Sequence, residues 1–342
     1  MSTDEQNDFQ NCALTSGLVT AEALQRAAAT LEQQNPDLPE SDVSQHLATI
    51  LVEQGVINRW QAEQLLAGRI KFTLGPYRML DSIGQGGMGQ VFKAEHEVMG
   101  RIVAVKVLPR HKSTPDAIAS FTREVRAQAR LDHPNLVRAY DAGHDGNVHF
   151  LVTEYVPGSD LRRLLRRNGP LSMSLAASII SQVALGLEHA HAEGLIHRDV
   201  KPGNVLVTPS GRAKLSDLGL VEIAVDREAG QRGSNKIVGT ADYLSPEQIK
   251  APWEVTPASD IYALGCTLYY AVTGKVPFPG GTIRDKARAH CDLHPIDPRR
   301  LNSELTQDFL DVIADMMHKD PSKRVGTAVE VISRLAPWVE QL

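Results

Sequence analysis

The segment Ile83-Gly84-Gln85-Gly86-Gly87-Met88-Gly89-Gln90-Val91 sets three glycines at G-x-G-x-x-G spacing, directly after a strand-like run, Tyr77–Ile83. Glycines so spaced let a backbone come close to phosphates and point its N–H groups at them. Dinucleotide folds share the spacing, but there a helix begins at the third glycine. Here Gln90-Val91-Phe92-Lys93-Ala94 continues as a strand pattern. The loop therefore reads as the tip of a β-hairpin, a lid rather than the start of a doubly wound sheet.

More β-rich runs follow at Ile102–Leu108 and Val148–Glu154, with a helical pattern at Thr122–Leu131 between them. Beyond Leu161 the pattern is helical, at Leu175–Glu193, Ser259–Thr273, Leu305–Met317 and Thr327–Leu342. Strands first and helices afterwards predict an α+β fold with two lobes.

The stretch before Tyr77 has a different texture. Residues 1–70 hold ten acidic and three basic residues, net −7, whereas the remainder holds 31 acidic and 33 basic, net +2. Residues 1–11 read as a flexible polar tail. Residues 12–70 read as an all-helical accessory module, with Thr20 and Asn58 as helix caps and a helix opening at Asp42. Gly17-Leu18-Val19-Thr20-Ala21 is echoed by Gly55-Val56-Ile57-Asn58-Arg59, 38 residues on. The module carries no glycine loop and no His/Asp/Ser grouping, so it is expected to be dispensable for chemistry. Residues 71–76, with Gly75-Pro76, read as a linker.

The overall charge of −5 disfavours a nucleic-acid coat protein, which needs a basic face. Three scattered cysteines offer neither a disulfide framework nor a zinc site, which fits a reducing, cytoplasmic setting. The acidic start lacks the pattern of a secretory signal. Ile261–Gly274 is too short to span a bilayer and reads as a buried core helix, so no membrane span is expected.

Three groups carry chemistry. Lys106, in Val103-Ala104-Val105-Lys106, alternates with apolar residues and would point into a lobe, where an ammonium needs an anion: a phosphate or Glu124. His197-Arg198-Asp199-Val200-Lys201-Pro202-Gly203-Asn204 offers a carboxylate, an ammonium two residues on and a carboxamide five residues on. Asp199 can accept a hydroxyl proton, Lys201 can neutralise a transferred group, and Asn204 can bind a hard cation through oxygen. Lys214-Leu215-Ser216-Asp217-Leu218-Gly219 adds a second carboxylate before a glycine turn.

In this order the motifs resemble the eukaryotic-type (Hanks-type) bacterial serine/threonine protein kinases, over roughly residues 77–338. The GGMG lid is similar to bacterial members, and the helical N-terminal module is planctomycete-like in style. The resemblance implies a bilobal fold, transfer of the γ-phosphate of ATP to Ser/Thr hydroxyls of protein substrates, and autophosphorylation. Mg2+ is the implied ion, with Mn2+ as an allowed substitute. Residues 83–91 (Ile83, Gly84, Gln85, Gly86, Gly87, Met88, Gly89, Gln90 and Val91) would cover the nucleotide, with Ala104 on adenine. Lys106 would hold phosphates and pair with Glu124. Glu154 and Val156 would present hinge backbone groups, Asp160 would touch ribose, and Thr153 would be the gatekeeper. Asp199 would be the catalytic base and Lys201 a γ-phosphate contact, while Asn204 and Asp217 would hold the metal. Ser245-Pro246-Glu247 stands where the family has A-P-E, with Glu247 pairing with Arg324, and Asp260 and Gly265 match the anchoring helix. Lys201 and Gly239-Thr240 point to Ser/Thr specificity.

Departures are Leu218 for Phe, Ser245 for Ala, and a polar Gln128 one turn after Glu124, which is expected to weaken the inward position of that helix if unpaired. Arg198 beside the catalytic Asp calls for an anion from the activation segment, and Ser234 is the expected phosphorylation site, reached in trans within a transient dimer. His189 and His191, two apart on a helix, face different directions and make no zinc site. Cys266 reads as core, and Asp242, Trp253, Glu254 and Trp338 as docking or packing residues. The alternative is a pseudokinase scaffold that binds a protein partner through the helical module. Against it, Lys106, Asp199, Asn204 and Asp217 are all present.

Overall fold

The computed structural model describes residues 3–85, 89–108, 114–217 and 241–339. The chain forms two compact units, Met1–Ser113 with Ala142–Tyr155, and Thr114–Asp141 with Val156–Leu342.

The first unit opens with four helices: α1 (Thr3–Thr15), α2 (Ala21–Gln34), α3 (Glu40–Glu53) and α4 (Arg59–Leu66). The echo in the sequence is one turn used twice. Gly17 (φ 70°) and Gly55 (φ 69°) take the left-handed conformation that ends a helix, where glycine has no Cβ penalty. Val19 and Ile57 then turn into the core. Thr20 accepts from Ala23 N and caps α2, and Asn58 forms a capping box with Gln61 on α4. The third helix starts at Glu40, two residues earlier than Asp42 suggests, because Pro39 already fixes its entry. α1 takes in most of the stretch expected to be a tail, and Phe9, Cys12 and Ala13 are buried with Leu24, Leu47, Leu51 and Leu65. Phe72 belongs to the same cluster, and Thr73–Leu74 is already a strand, so residues 71–76 are anchored on both sides.

The strands β1 (Thr73–Leu74), β2 (Tyr77–Gln85), β3 (Gln90–His96), β4 (Ile102–Leu108), β5 (Ala139–Asp145) and β6 (Val148–Glu154) make a sheet of order β1-β2-β3-β4-β6-β5. β5, whose alternation is weak and mostly exposed, was not legible in the sequence. Directly opposed residues of an antiparallel pair share a face. The rows Val91–Lys106–Leu151 and Lys93–Ala104–Thr153 therefore form one face, and Phe92–Val105–Val152 lies on the other. That second face is apolar, built from Met79, Ala94, Val103, Val105, Phe150 and Val152. Trp60 of α4 covers it, 5.8 Å from the Phe72 ring and 5.7 Å from the Phe92 ring. Asn58 Nδ2 donates to Leu80 O on β2 at 2.5 Å. The helical module is thus packed on the sheet that leads into the glycine loop.

The second unit holds α5 (Pro115–Gln128), a small sheet of β7 (Ser159–Asp160), β8 (Val205–Val207) and β9 (Ala213–Leu215), and the helices α6 (Leu161–Asn168), α7 (Met173–Ala192), α8 (Pro246–Lys250), α9 (Pro257–Thr273), α10 (Ile283–Asp292), α11 (Gln307–Met316) and α12 (Ala328–Leu335). α5 begins a full turn and more before the sequence signal at Thr122, since Thr114 caps it and Pro115 occupies its first position. α9 is apolar nearly all round and buried nearly throughout. It packs against α11 so closely that a Cβ on Gly265 would stand 2.8 Å from Met316 Cβ. Among the described residues no helix is long and apolar enough to cross a membrane. The final helix stops at Leu335, not Leu342: Pro337 lies in a 3-10 turn over Ala336–Trp338, and Trp338 packs edge-on against Phe309, 5.0 Å away.

Candidate active site

In the first unit the hairpin expected at the glycine loop is present. Gly84 pairs with Val91 and Gln85 with Gln90, so the strands that flank it run antiparallel. Gly86, Gly87 and Met88 lie outside the described residues. On the face opposite Trp60 stand Lys106, Val91, Ala104 and Thr153, brought side by side by strand register. Val103 pairs with Glu154, so Thr153 and Glu154 stand on opposite faces at the end of β6. Thr153 Oγ1 donates a long 3.4 Å bond to Glu154 O. Lys93, in the same row as Ala104, lies 5.1 Å from the centre of the Tyr155 ring.

In the second unit the catalytic-loop candidate is held from below by one carboxylate. Asp260 of α9 is buried, and its Oδ2 accepts from His197 N while Oδ1 accepts from Arg198 N, both at 2.8 Å. His191 Nε2 donates to Asp260 Oδ2 at 2.8 Å. His189 instead stacks on His133 with ring centres 5.2 Å apart, so the two α7 histidines do face apart. His197 donates from Nε2 to Ser216 O at 3.0 Å, and its Nδ1 accepts from Asp199 N at 3.3 Å, which fixes the tautomer.

Asp199 is met by Lys201 Nζ at 2.8 Å on Oδ1 and 2.6 Å on Oδ2. Asn204 Nδ2 donates to Asp199 O at 2.8 Å and to Oδ2 at 3.0 Å. Both hydrogens of that amide are thereby engaged, leaving its oxygen for another partner. Ser216 N donates to Asn204 O at 2.8 Å, which brings the following residue, Asp217, beside the loop. An amide oxygen and a carboxylate, both hard donors on fixed backbone, suit Mg2+, which takes few protein ligands. Among the described residues no cluster of three or more His, Cys, Asp or Glu side chains offers a self-contained metal cage.

Arg198 (φ 65°) and Asp217 (φ 55°) are the non-glycine residues with left-handed backbone among those described. Such positions cost on the order of 1–3 kcal/mol and persist only where neighbours enforce them. For Arg198 the enforcement is visible at both backbone atoms: N donates to Asp260, and O accepts from Gln248 Nε2 at 2.9 Å. Gln248 was missed in the sequence. The signal that could have found it is the Ser245-x-x-Gln248 spacing, which forms a capping box and orders a buried glutamine. Arg198 Nε is buried and unpartnered among the described residues.

Glu247 and Arg324 meet as expected, at 2.7 Å and 3.1 Å through two parallel bonds, and Ser259 Oγ adds a third at 2.7 Å. Burial pushes the Glu247 carboxyl up, but the Arg324 bonds and charge and the Ser259 hydroxyl outweigh it and hold it below its ordinary value. Cys266 is fully buried, and burial pushes its thiol far up, consistent with a core role. Gln128 is half satisfied: Nε2 donates to Val137 O at 3.1 Å, while Oε1 has no partner among the described residues. Glu124 is buried on α5, and Val156 opens the stretch leading to β7. Asp160 caps α6 through Arg163 N and lies 3.2 Å from Arg163 Nε, a structural use the sequence reading did not assign. Asp242 is paired with Lys286 at 2.6 Å. Trp253 is exposed. Leu218, Gly219, Ser234, Gly239 and Thr240 lie outside the described residues.

This geometry has counterparts in known proteins. The family model described as the protein kinase domain matches residues 77–336. A probable serine/threonine-protein kinase of Clostridium perfringens is 38% identical over 260 residues, 76% of this chain and 38% of that protein. The serine/threonine-protein kinase PknA of Mycobacterium tuberculosis is 39% identical over 266 residues, 76% of this chain and 60% of that protein. The crystal structure of Rad53 1–466 in complex with AMP-PNP matches with a TM-score of 0.65 at 25% identity, over 81% of this chain and 69% of that one. The chain spans about two fifths to three fifths of the length of these curated relatives. With three quarters of its length inside the family match, and with the 197–204 loop hung from Asp260 and Glu247 paired with Arg324, the chain belongs to the protein kinase family.

Proposed function

We propose that this chain is an active Mg2+-dependent serine/threonine protein kinase that uses ATP and can phosphorylate itself. The observation that carries the reading is the grip on Asp199: its carboxylate is held by Lys201 and Asn204, and its loop hangs from Asp260. A carboxylate so positioned can accept the proton of a substrate hydroxyl as the oxygen bonds to the γ-phosphorus and the bond from that phosphorus to the bridging oxygen breaks, releasing ADP. Lys201, already at the same carboxylate, neutralises charge on the group in transfer. Lys106, aligned with Val91 and Ala104 on one sheet face, holds the nucleotide phosphates while the two apolar side chains pack on the base. Mg2+, when bound through Asn204 and Asp217, supplies positive charge to the phosphate oxygens.

A pseudokinase scaffold is disfavoured because no member of the set Lys106, Asp199, Asn204 and Asp217 is missing. Lys201 two residues after Asp199 supports Ser/Thr over Tyr acceptors. The test is phosphoamino-acid analysis of a generic protein substrate and of the chain itself after incubation with ATP and Mg2+. Phosphoserine and phosphothreonine are expected; phosphotyrosine alone, or no transfer, would overturn the reading.

A further inference from the structure

α6 sets an unusual charge beside the catalytic loop. Its eight residues carry four arginines, with Leu161 and Leu165 buried and Arg162, Arg163, Arg166 and Arg167 exposed. The helix is fixed at both ends: Asp160 caps its start, and Gly169 (φ 82°) ends it. Arg163 is answered by Asp160 at 3.2 Å. Arg162, Arg166 and Arg167 have no carboxylate partner among the described residues.

Arg162 is the member nearest the chemistry. Gly203 lies between Pro202 and Asn204, four residues from Asp199, and a Cβ built on it would meet Arg162 Cζ and Nη2 at 3.9 Å. No side chain at 203 therefore stands between the guanidinium and a peptide lying along the loop. Arg166, one turn on, lies on the same side of α6.

Gly203 is four positions after Asp199, and since even an extended chain advances only about 3.3 Å per residue, the two lie at most about 13 Å apart along the loop. A substrate whose hydroxyl reaches Asp199 can thus bring a residue within about five positions of the acceptor to Arg162. We propose that Arg162, supported by Arg166, determines substrate specificity by receiving an acidic side chain, Asp or Glu, close to the phosphoacceptor. A guanidinium without an internal carboxylate can take such a group through two parallel hydrogen bonds, and a lysine there would meet like charge. The inference rests on the kinase reading above and extends it to a substrate class.

The test uses the full chain and pairs of peptides that share one Ser/Thr acceptor and differ only in carrying Asp/Glu or Lys at flanking positions. Steady-state kinetics should show KM about five- to tenfold lower for the acidic member with kcat nearly unchanged, the signature of a binding contact. Arg162→Glu should invert the preference, and Gly203→Glu, which sets a carboxylate against Arg162, should weaken it independently. Fluorescence anisotropy with acceptor→Ala peptides reads the same preference without any transfer, so loss of catalysis and loss of recognition are separable. Equal KM and equal binding for both members in the wild type, or an acidic preference that survives Arg162→Glu, would overturn the proposal.

Discussion

At the scale of single residues, the two units contribute differently placed charges. Lys106 owes its position to strand register, so its ammonium shares a face with Val91 and Ala104. Lys106→Met keeps the length and apolar stem of the side chain but removes the charge proposed to position phosphate. Phosphoryl transfer by this variant should fall by well over tenfold, while its far-UV circular dichroism and melting temperature stay near wild type. Retention of more than about a tenth of the rate, a difference of only ~1.4 kcal/mol, would show that another cation does the work. Arg198 is the second informative residue. Its Nε is buried and unpartnered among the described residues, and its backbone is held in a left-handed conformation by Asp260 and Gln248. A phosphate of charge about −1.5 to −2 would supply the missing anion. Ser234 is the expected donor of that phosphate. Mass spectrometry of wild-type protein made in bacteria should find phosphoserine there and Asp199→Asn protein should lack it. Full activity of Ser234→Ala would contradict that assignment.

At the scale of elements, α9 and α10 enclose a neutral histidine. His290 is fully buried, with Tyr262 Oη 2.9 Å from its Nδ1 and Nε2 unpartnered among the described residues. Burial, then the charge of Lys319 and to a smaller extent that of Lys286, pull its pKa down to about 3 against the opposing pull of the Asp242 backbone. An unfolded chain would bind this proton near pH 6.5, so the unfolded state takes up more protons throughout the interval. Stability is therefore full above pH 6.5 and falls as pH drops toward 3, by an amount on the order of 4 kcal/mol for the whole window. Urea unfolding at pH 7 and pH 4.5 should show a smaller loss for His290→Gln than for wild type, and equal losses would contradict the assignment. None of this was legible in the sequence, because His290 carries no motif and its chemistry comes from what α9 and α10 bury around it. By contrast the meeting of Asp199 with Lys201 and Asn204 was legible from their short spacing, and the structure brings the three side chains together. Helix starts at Thr20 and Asn58 were legible for the same reason: a cap acts three residues away. Gln248 and the full extent of α5 were not, as a long-range bond to Arg198 O and an early proline set them.

At the scale of the whole molecule, the helical module and the sheet of the first unit share a side chain. Trp60 packs against both the module's core and the apolar face of the sheet, with Phe72 and Phe92 as its aromatic neighbours. The expectation that the module is dispensable came from its lack of site residues, and strand pairing alone gave no hint that a tryptophan seventeen residues before Tyr77 would cover β3. A chain beginning at Leu74 should keep a measurable transfer step, because Lys106 and Asp199 remain. It should melt several degrees lower, because Phe92 and its neighbours lose the cover of the half-buried Trp60. Trp60→Ala in the full chain should reproduce most of that loss. An unchanged melting temperature in both would mean the module contributes nothing to the sheet.

The most direct test of the kinase assignment is incorporation of γ-labelled phosphate from ATP and Mg2+ by the wild-type chain beside Asp199→Asn, with nucleotide binding measured on both. Wild type should label itself and a generic protein substrate on serine and threonine. The Asp199→Asn variant should bind nucleotide yet lose about two to three decades of transfer. Equal labelling by both proteins, or none by wild type that binds ATP and Mg2+, would contradict the account.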